Sequence, residues 1–539
     1  MNIKNTIKLS LAAALLTLGS ACTGDFYEKN TNPDEATDEM LDWDDLRTGS
    51  AFSQLAQNVI PTSIQMSGGE EYGSSRYQVI QDLAGNIFAG YTGATKVPFV
   101  ANNLYDIQAE TWHDYMHDDA FQRAMGPWAQ LDALREADPV AVALADVLKV
   151  AVMHRVTDTY GPIAYLTIGQ SGIQKQYDPQ QAVYNRFFEE LDAAIELLTD
   201  FCEKNPSATV LSKFDPIYKG NVRAWVKFAN TLRLRLAMRV VYADGNLARE
   251  QADAALANSI GLMTTATDIA KFEKPATFTS WENPIYAIQY TMNDGDSRMG
   301  ATIESYMNGY NDPRLASYFV ANKNGDYRGV RNGIRITDAI VQSDLYSRIK
   351  IAKNDPLVWM KPAEAWFLRA EYELRWGSST QAGEYYRQGV ACSFQTENAG
   401  SADLYLADEE SVPADYVDEV VSSNSAVALG KIAVAWDDAA GFETKLERII
   451  TQKYLAIFPD GQEAWSEFRR TGYPRVFPNL VNNQPGRVPT AKQIRRLDYP
   501  STQYATNAEA VQAAIMTLNR ESSNPMGDVG GTNLWWDKK

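Results

Sequence analysis

Apolar residues recur at three- and four-residue intervals through most of this chain, so the pattern predicts amphipathic helices packed on one another. The first runs from about Met40 to Ile60. Asp138-Pro139 reads as an N-cap followed by proline at the first helical position, and the helix it starts lasts to about Val156 and stops at Tyr160-Gly161-Pro162. Another fills Gln180 to Phe201, and Asn221 caps a third, VRAWVKFANTLRLRLAMRV. Helix resumes after Lys361-Pro362 and continues as a pair joined at Gly377-Ser378-Ser379.

That pair carries the best internal clue to architecture. Trp366, Ala370, Ala382, Tyr386 and Gly389 fall on the Trp, Gly, Ala, aromatic and small positions of the tetratricopeptide repeat, at spacings of four, twelve, four and three. The template fails at Glu373, where an aromatic is expected though Tyr372 is adjacent, and at Phe394, where proline usually ends the repeat. The fold expected is all-α, a tetratricopeptide-like scaffold of helix pairs with long irregular insertions.

Two tracts break the helical pattern. Pro61 to Asp118 is loop-rich, with GNIFAGYTGATKVPF at its centre, and Thr264 to Asp355 holds TSWENPIYAIQYTMNDGDSRMG and NKNGDYRGVRNGIR. Long ordered loops are usually functional, so these tracts are expected to form a ligand face. Aromatic faces suit sugar rings, while amides, carboxylates and guanidinium groups suit hydroxyls; peptides use the same groups differently. Tyr72, Tyr91, Trp112, Trp281, Asp296 and Arg298 are the candidate ligand contacts. For each ring, packing within its loop is the competing explanation.

The N-terminus changes the picture again. In MNIKNTIKLSLAAALLTLGSAC, Lys4 and Lys8 form a basic n-region, Leu9 to Leu18 an apolar h-region too short to span a bilayer, and Gly19-Ser20-Ala21 a small-residue cleavage site. Cys22 directly follows, as in a lipobox, although Gly19 stands where the strict pattern has Leu. Residues 1–21 are read as a signal peptide, 22–39 as a lipid-anchored tether, and 40–539 as a single α-helical domain. A triacylated Cys22 passes the two-signal threshold for stable anchoring.

The 539 residues are 45% hydrophobic and 22% charged, the profile of a globular protein. A formal net charge of −18 makes nucleic acid an unsuitable partner. Cys202 and Cys392 lie in apolar helical runs and are expected as buried free thiols.

Several segments together resemble the SusD/RagB family of nutrient-binding outer-membrane lipoproteins of Bacteroidetes. They are VTDTYGPIAY, YDPQQAVYNRFFEELDAAIELL, NVRAWVKFANTLRLRLAMRV, DPLVWMKPAEAWFLRAEY, IITQKYLAIFPDGQEAWSEFRRTGYPRV and RRLDYPSTQYATN, in the family's order, with DGDSRMG and NDPRL pointing to its SusD-like branch. The resemblance implies a non-enzymatic, surface-exposed capture protein. Its partner would be a SusC-like TonB-dependent outer-membrane transporter, and its ligand an oligosaccharide or, as the alternative, a peptide. Glu467, Arg469 and Arg470 are read as structural, an Arg pair placed for bidentate carboxylate contacts.

Other chemistry is weaker. His113 and His117 are four apart, but Asp114 stands where a zincin has its general-base Glu and only His154 remains as a third histidine. A metal-dependent surface hydrolase is therefore the rival from another class. Asn293-Asp294-Gly295-Asp296-Ser297 offers oxygen ligands for calcium but lacks the spaced acidic pattern and terminal Glu of an EF-hand, so a turn is expected and no cofactor is assigned. No GxSxG, P-loop or Rossmann fingerprint is present.

Overall fold

The computed structural model describes residues 46–62, 72–97, 99–170, 175–275, 281–292 and 295–539. The leader, Cys22 and the tether lie outside the described residues. The chain divides into a short unit, Met1–Thr48, and a large one, Gly49–Lys539.

The helices of eight residues or more are α1 Leu46–Gln57, α2 Met125–Asp132, α3 Pro139–Tyr160, α4 Gln180–Lys204, α5 Val222–Arg239, α6 Gly245–Ala257, α7 Ala301–Gly309, α8 Ala363–Trp376, α9 Ser379–Glu397, α10 Phe442–Ala456, α11 Gly461–Thr471 and α12 Ala508–Glu521. The expected caps form. Asp138 accepts from the Ala141 N–H with Pro139 at the first position, and Asn221 accepts from the Ala224 N–H. From Ala141 to Tyr160 every residue of α3 is buried, its charged side chains included, so the helix is enclosed on all sides rather than on one amphipathic face. Each Leu or Val so buried stabilises the fold by about 1.5–3 kcal/mol relative to exposure.

Neighbouring helices pack in sequence: α3 on α4, α4 on α5, α5 on α6 and α8, then α8 on α9 and α10. The α8/α9 hairpin matches the repeat template in its packing. Ala370 and Ala382 are fully buried. The Trp366 and Tyr385 rings lie 5.6 Å apart. A Cβ at Gly389 would sit 2.8 Å from the Phe367 ring, which explains the small residue there.

Between these helices lies a buried ion network. Arg235 donates to Glu364 at 2.8 Å, Arg239 to Glu467 at 2.9 Å and Lys453 to Glu463 at 3.0 Å. Arg470 makes the bidentate contact expected of it, to Glu371 at 2.7 Å through both terminal nitrogens. Arg469 does not. Its guanidinium lies 3.5 Å from the Trp465 ring centroid and donates to the Asp158 and Arg495 carbonyls at 2.6 and 2.7 Å. Stacking on Trp465 turns it toward backbone acceptors. Cys202 and Cys392 are buried free thiols, as expected.

The first irregular tract is more helical than its sequence suggests. A short helix, Tyr72–Tyr77, runs into a buried π-helical segment, Gln78–Asn86, that packs on α11. At Gly85 a Cβ would lie 2.7 Å from the Gln462 backbone nitrogen, so this glycine serves close approach of two backbones. Four short strands make two antiparallel pairs. β1 Thr92–Ala94 joins β3 Ser297–Met299 with Gly93 opposite Arg298, and β2 Ala270–Phe272 joins β4 Leu357–Met360.

Candidate functional site

The β1/β3 pair ties the two irregular tracts together, because one strand comes from each. Beside it the helix Tyr72–Tyr77 packs on a turn, Pro284–Tyr286, which continues as the π-helical segment Ala287–Thr291. Asn283 starts that turn, its side chain accepting from the Ile285 and Tyr286 N–H groups. Positions four apart share a helical face, and here they bring Tyr286 and Tyr290 together, ring centroids 5.0 Å apart and tilted by 32°.

Both rings are half-buried. The Tyr290 hydroxyl donates to the Ile349 carbonyl at 2.9 Å, and burial raises its phenol above the ordinary value, so it stays neutral. The Arg348 guanidinium lies 5.5 Å from the Tyr290 centroid. Beneath, the fully buried Gln289 donates to Ser297 Oγ at 2.9 Å and accepts from the Ile349 N–H at 3.1 Å, which locks the turn to β3. Burial also pushes the neighbouring Asp82 carboxyl up to about 6, against hydrogen bonds from Ser297 and Asn86.

Next to the tyrosines, Ile285 and Ile349 line a groove of about 270 Å³ that also takes in Lys271, Lys350 and Asp355. The helix Tyr72–Tyr77 carries Arg76, whose guanidinium lies 3.7 Å from the centroid of the half-buried Tyr115 ring and 3.5 Å from Asp119. The arrangement is a tyrosine pair with the Arg348 guanidinium at one ring and a groove beside it. It suits stacking of a flat apolar ring face with polar groups at the ring's edge.

The candidate residues read from sequence distribute differently. Tyr72 opens its helix, and its side chain lies outside the described residues. Trp112 is half-exposed, its ring 5.5 Å from Phe99. Tyr91 is a core residue: fully buried, 4.5 Å from the Tyr454 ring and 5.2 Å from that of Phe458, its hydroxyl donating to the Tyr454 carbonyl. Trp281 is buried on Phe272 at 5.7 Å and 18°, with Nε1 donating to the Asp355 carbonyl. Asp296 is buried and accepts from the Gln78 side chain, and Arg298 is buried and donates to the Gly295 and Ser297 carbonyls. All four are buried, and their contacts are with neighbouring protein groups. Tyr286, Tyr290 and Arg348 are not among the sequence candidates, although Tyr-x-x-x-Tyr within IYAIQY is a legible signal for the paired rings.

The histidines have other tasks. His113 Nδ1 donates to the Glu110 carbonyl at 3.1 Å, and its Nε2 lies 3.1 Å from Asp114, which accepts from the Ser501 N–H at 2.9 Å. His117 Nδ1 lies 3.0 Å from Asp118. His154 is buried in α3, and desolvation, then the Arg235 and Arg155 charges, hold its imidazole well below the ordinary range. Among the described residues no group of three or more His, Cys, Asp or Glu is placed to hold a metal ion. Of the 293–297 turn, Asn293 and Asp294 lie outside the described residues.

A family model described as SusD-like, SusD and RagB outer membrane lipoprotein, matches residues 28–537. Solved structures are similar over nearly the whole chain. A chitin-binding SusD homolog from Flavobacterium johnsoniae is 36% identical, with 91% of this chain and 98% of that chain covered and a TM-score of 0.83. A SusD homolog from Bacteroides uniformis is 38% identical, covering 92% and 100% with a TM-score of 0.83, and one from Bacteroides vulgatus is 31% identical, covering 91% and 97% with a TM-score of 0.82. A search of curated proteins finds no match. Among the described residues no helix is long and apolar enough to cross a membrane.

Proposed function

The chain belongs to the SusD-like family of SusD and RagB outer-membrane lipoproteins, and on that basis we propose that it captures oligosaccharide at the cell surface and delivers it unaltered to a SusC-like TonB-dependent transporter. A lipid on Cys22 would hold it at the outer membrane, where the tether leaves the folded unit free to approach a barrel mouth. Catalysis is not part of this role. Affinity should be modest, because a ligand held too tightly is not handed over.

The observation that carries the ligand class is the Tyr286/Tyr290 platform, with Arg348 5.5 Å from the second ring and the groove alongside. Half-exposed rings braced by a fixed backbone offer stacking area with little side-chain ordering on binding. The relative described as chitin-binding, 36% identical, gives the same class. Calorimetric titration of the detergent-solubilised chain with panels of oligosaccharides and peptides tests this. Heat from at least one glycan and none from the peptides is expected. A response to peptides alone would move the ligand class, and no response to either would leave a lid whose ligand the transporter alone binds.

A further inference from the structure

A cleft of about 560 Å³ opens among α2, α3 and α4, helices that carry none of the platform residues. Its floor is Lys149, with Nζ 4.0 Å from the Trp128 ring centroid and 4.5 Å from that of Tyr165, also donating to Glu190 at 2.9 Å. Gly169, at φ +83°, crosses the edge of the Trp128 ring; a Cβ there would lie 3.4 Å from Trp128 Cζ3, in a backbone conformation that side chains rarely adopt. The wall is polar and preformed. Arg135 reaches Asp146 through both terminal nitrogens at 2.8 and 3.0 Å, Asp146 also accepts from Trp128 Nε1 at 3.0 Å, and Arg186 donates to Glu190 at 3.0 Å.

Every charged side chain lining this cleft has an opposite partner within 3.1 Å, three cations set among four carboxylates, so no cation is left over to draw in an anion. What remains is hydrogen-bonding capacity in fixed planar groups. The side chains of Arg135 and Arg186 are still 49% and 50% exposed, and a guanidinium carries more N–H donors than two contacts use. Their ordering is already met by the ion pairs, so a ligand need not supply it. Neutral, polyhydroxylated molecules match such a surface: many hydroxyls for ion-paired donors and acceptors, and a rim softened by the exposed Leu166.

We infer that this cleft is a second saccharide site, separate from the tyrosine platform, which lets one chain hold a long glycan at two points. The saccharide class rests on the proposed function; the polar, ion-paired lining stands apart from it. Two tethered contacts on one polymer raise retention well beyond either alone, whereas a short oligosaccharide reaches only one.

The test is affinity electrophoresis of the full chain in detergent through gels holding soluble glycol chitin, mixed-linkage glucan or xylan. Ala193 lines the cleft from an exposed position, so Ala193→Trp fills it without disturbing the core, and Arg186→Ala removes one fork. Each should lower retention by the polymer that retards the wild type, by roughly tenfold, while titration with a matching trisaccharide still shows the platform's affinity. Tyr286→Ala/Tyr290→Ala should leave residual retention that adding Ala193→Trp abolishes. Retention that vanishes with the tyrosines alone, or that neither cleft variant alters, overturns the second site and spares the platform. A wild type retarded by none of the polymers overturns both.

Discussion

Tyr286 and Tyr290 differ from Tyr91 in what their rings touch, and that difference decides which can hold a ligand. The first two rest on each other and keep part of their surface in water. Tyr91 is enclosed by Tyr454 and Phe458 and bonded to the Tyr454 carbonyl, 363 positions away in sequence. No local pattern reports such a partner, so an aromatic set among glycines reads alike whether it lies on a surface or in a core. Trp281 is a second case, closed off by Phe272 and the Asp355 carbonyl. Tyr91→Ala and Trp281→Ala should each lower unfolding free energy by about 3–5 kcal/mol, the usual range for a buried ring. Urea titration measures that loss, and the glycan affinity of the remaining folded protein should be unchanged.

Elements were legible in proportion to how local their causes are. The α8/α9 hairpin follows from a short connection, the Ser378 cap and small residues at close contacts, all within one stretch of sequence. The β1/β3 pair has three-residue strands drawn from distant tracts, too short for alternation to show. The Arg-rich α5 was legible as a capped helix, but its carboxylate partners come from α3, α8 and α11. The same network ties α8 to α11 through Glu371. Burial pushes that carboxyl up, yet the Arg470 and Arg375 charges prevail and hold it at about 2, below its ordinary 4.5. Folded protein therefore binds fewer protons than unfolded between those values. The stabilisation is complete above about pH 4.5 and is lost as pH falls toward 2. Glu371→Gln should cost about 3–5 kcal/mol near neutral pH, because Arg470 stays buried with one partner fewer. Its stability should also fall less steeply in acid, as urea titrations across that pH range would record.

At the scale of the whole molecule, a stack of helix pairs holds two irregular tracts in one place, and the proposed ligand face lies where they meet. The helical repeat and the two tracts could be read from the pattern of apolar positions. Which side chains reach the surface could not, because the tracts fold into short helices and π turns whose inward faces join the main core. With the N-terminal lipid proposed at Cys22, the proposed role is that of a tethered receptor that concentrates glycan by reversible stacking. The most direct measurement is calorimetric titration of wild type and Tyr286→Ala/Tyr290→Ala with the glycan that the wild type binds, alongside their melting temperatures. At about 1 kcal/mol per ring the double substitution should weaken binding by roughly thirtyfold with little change in melting. Equal affinity in a folded double variant would contradict the platform and the capture role built on it.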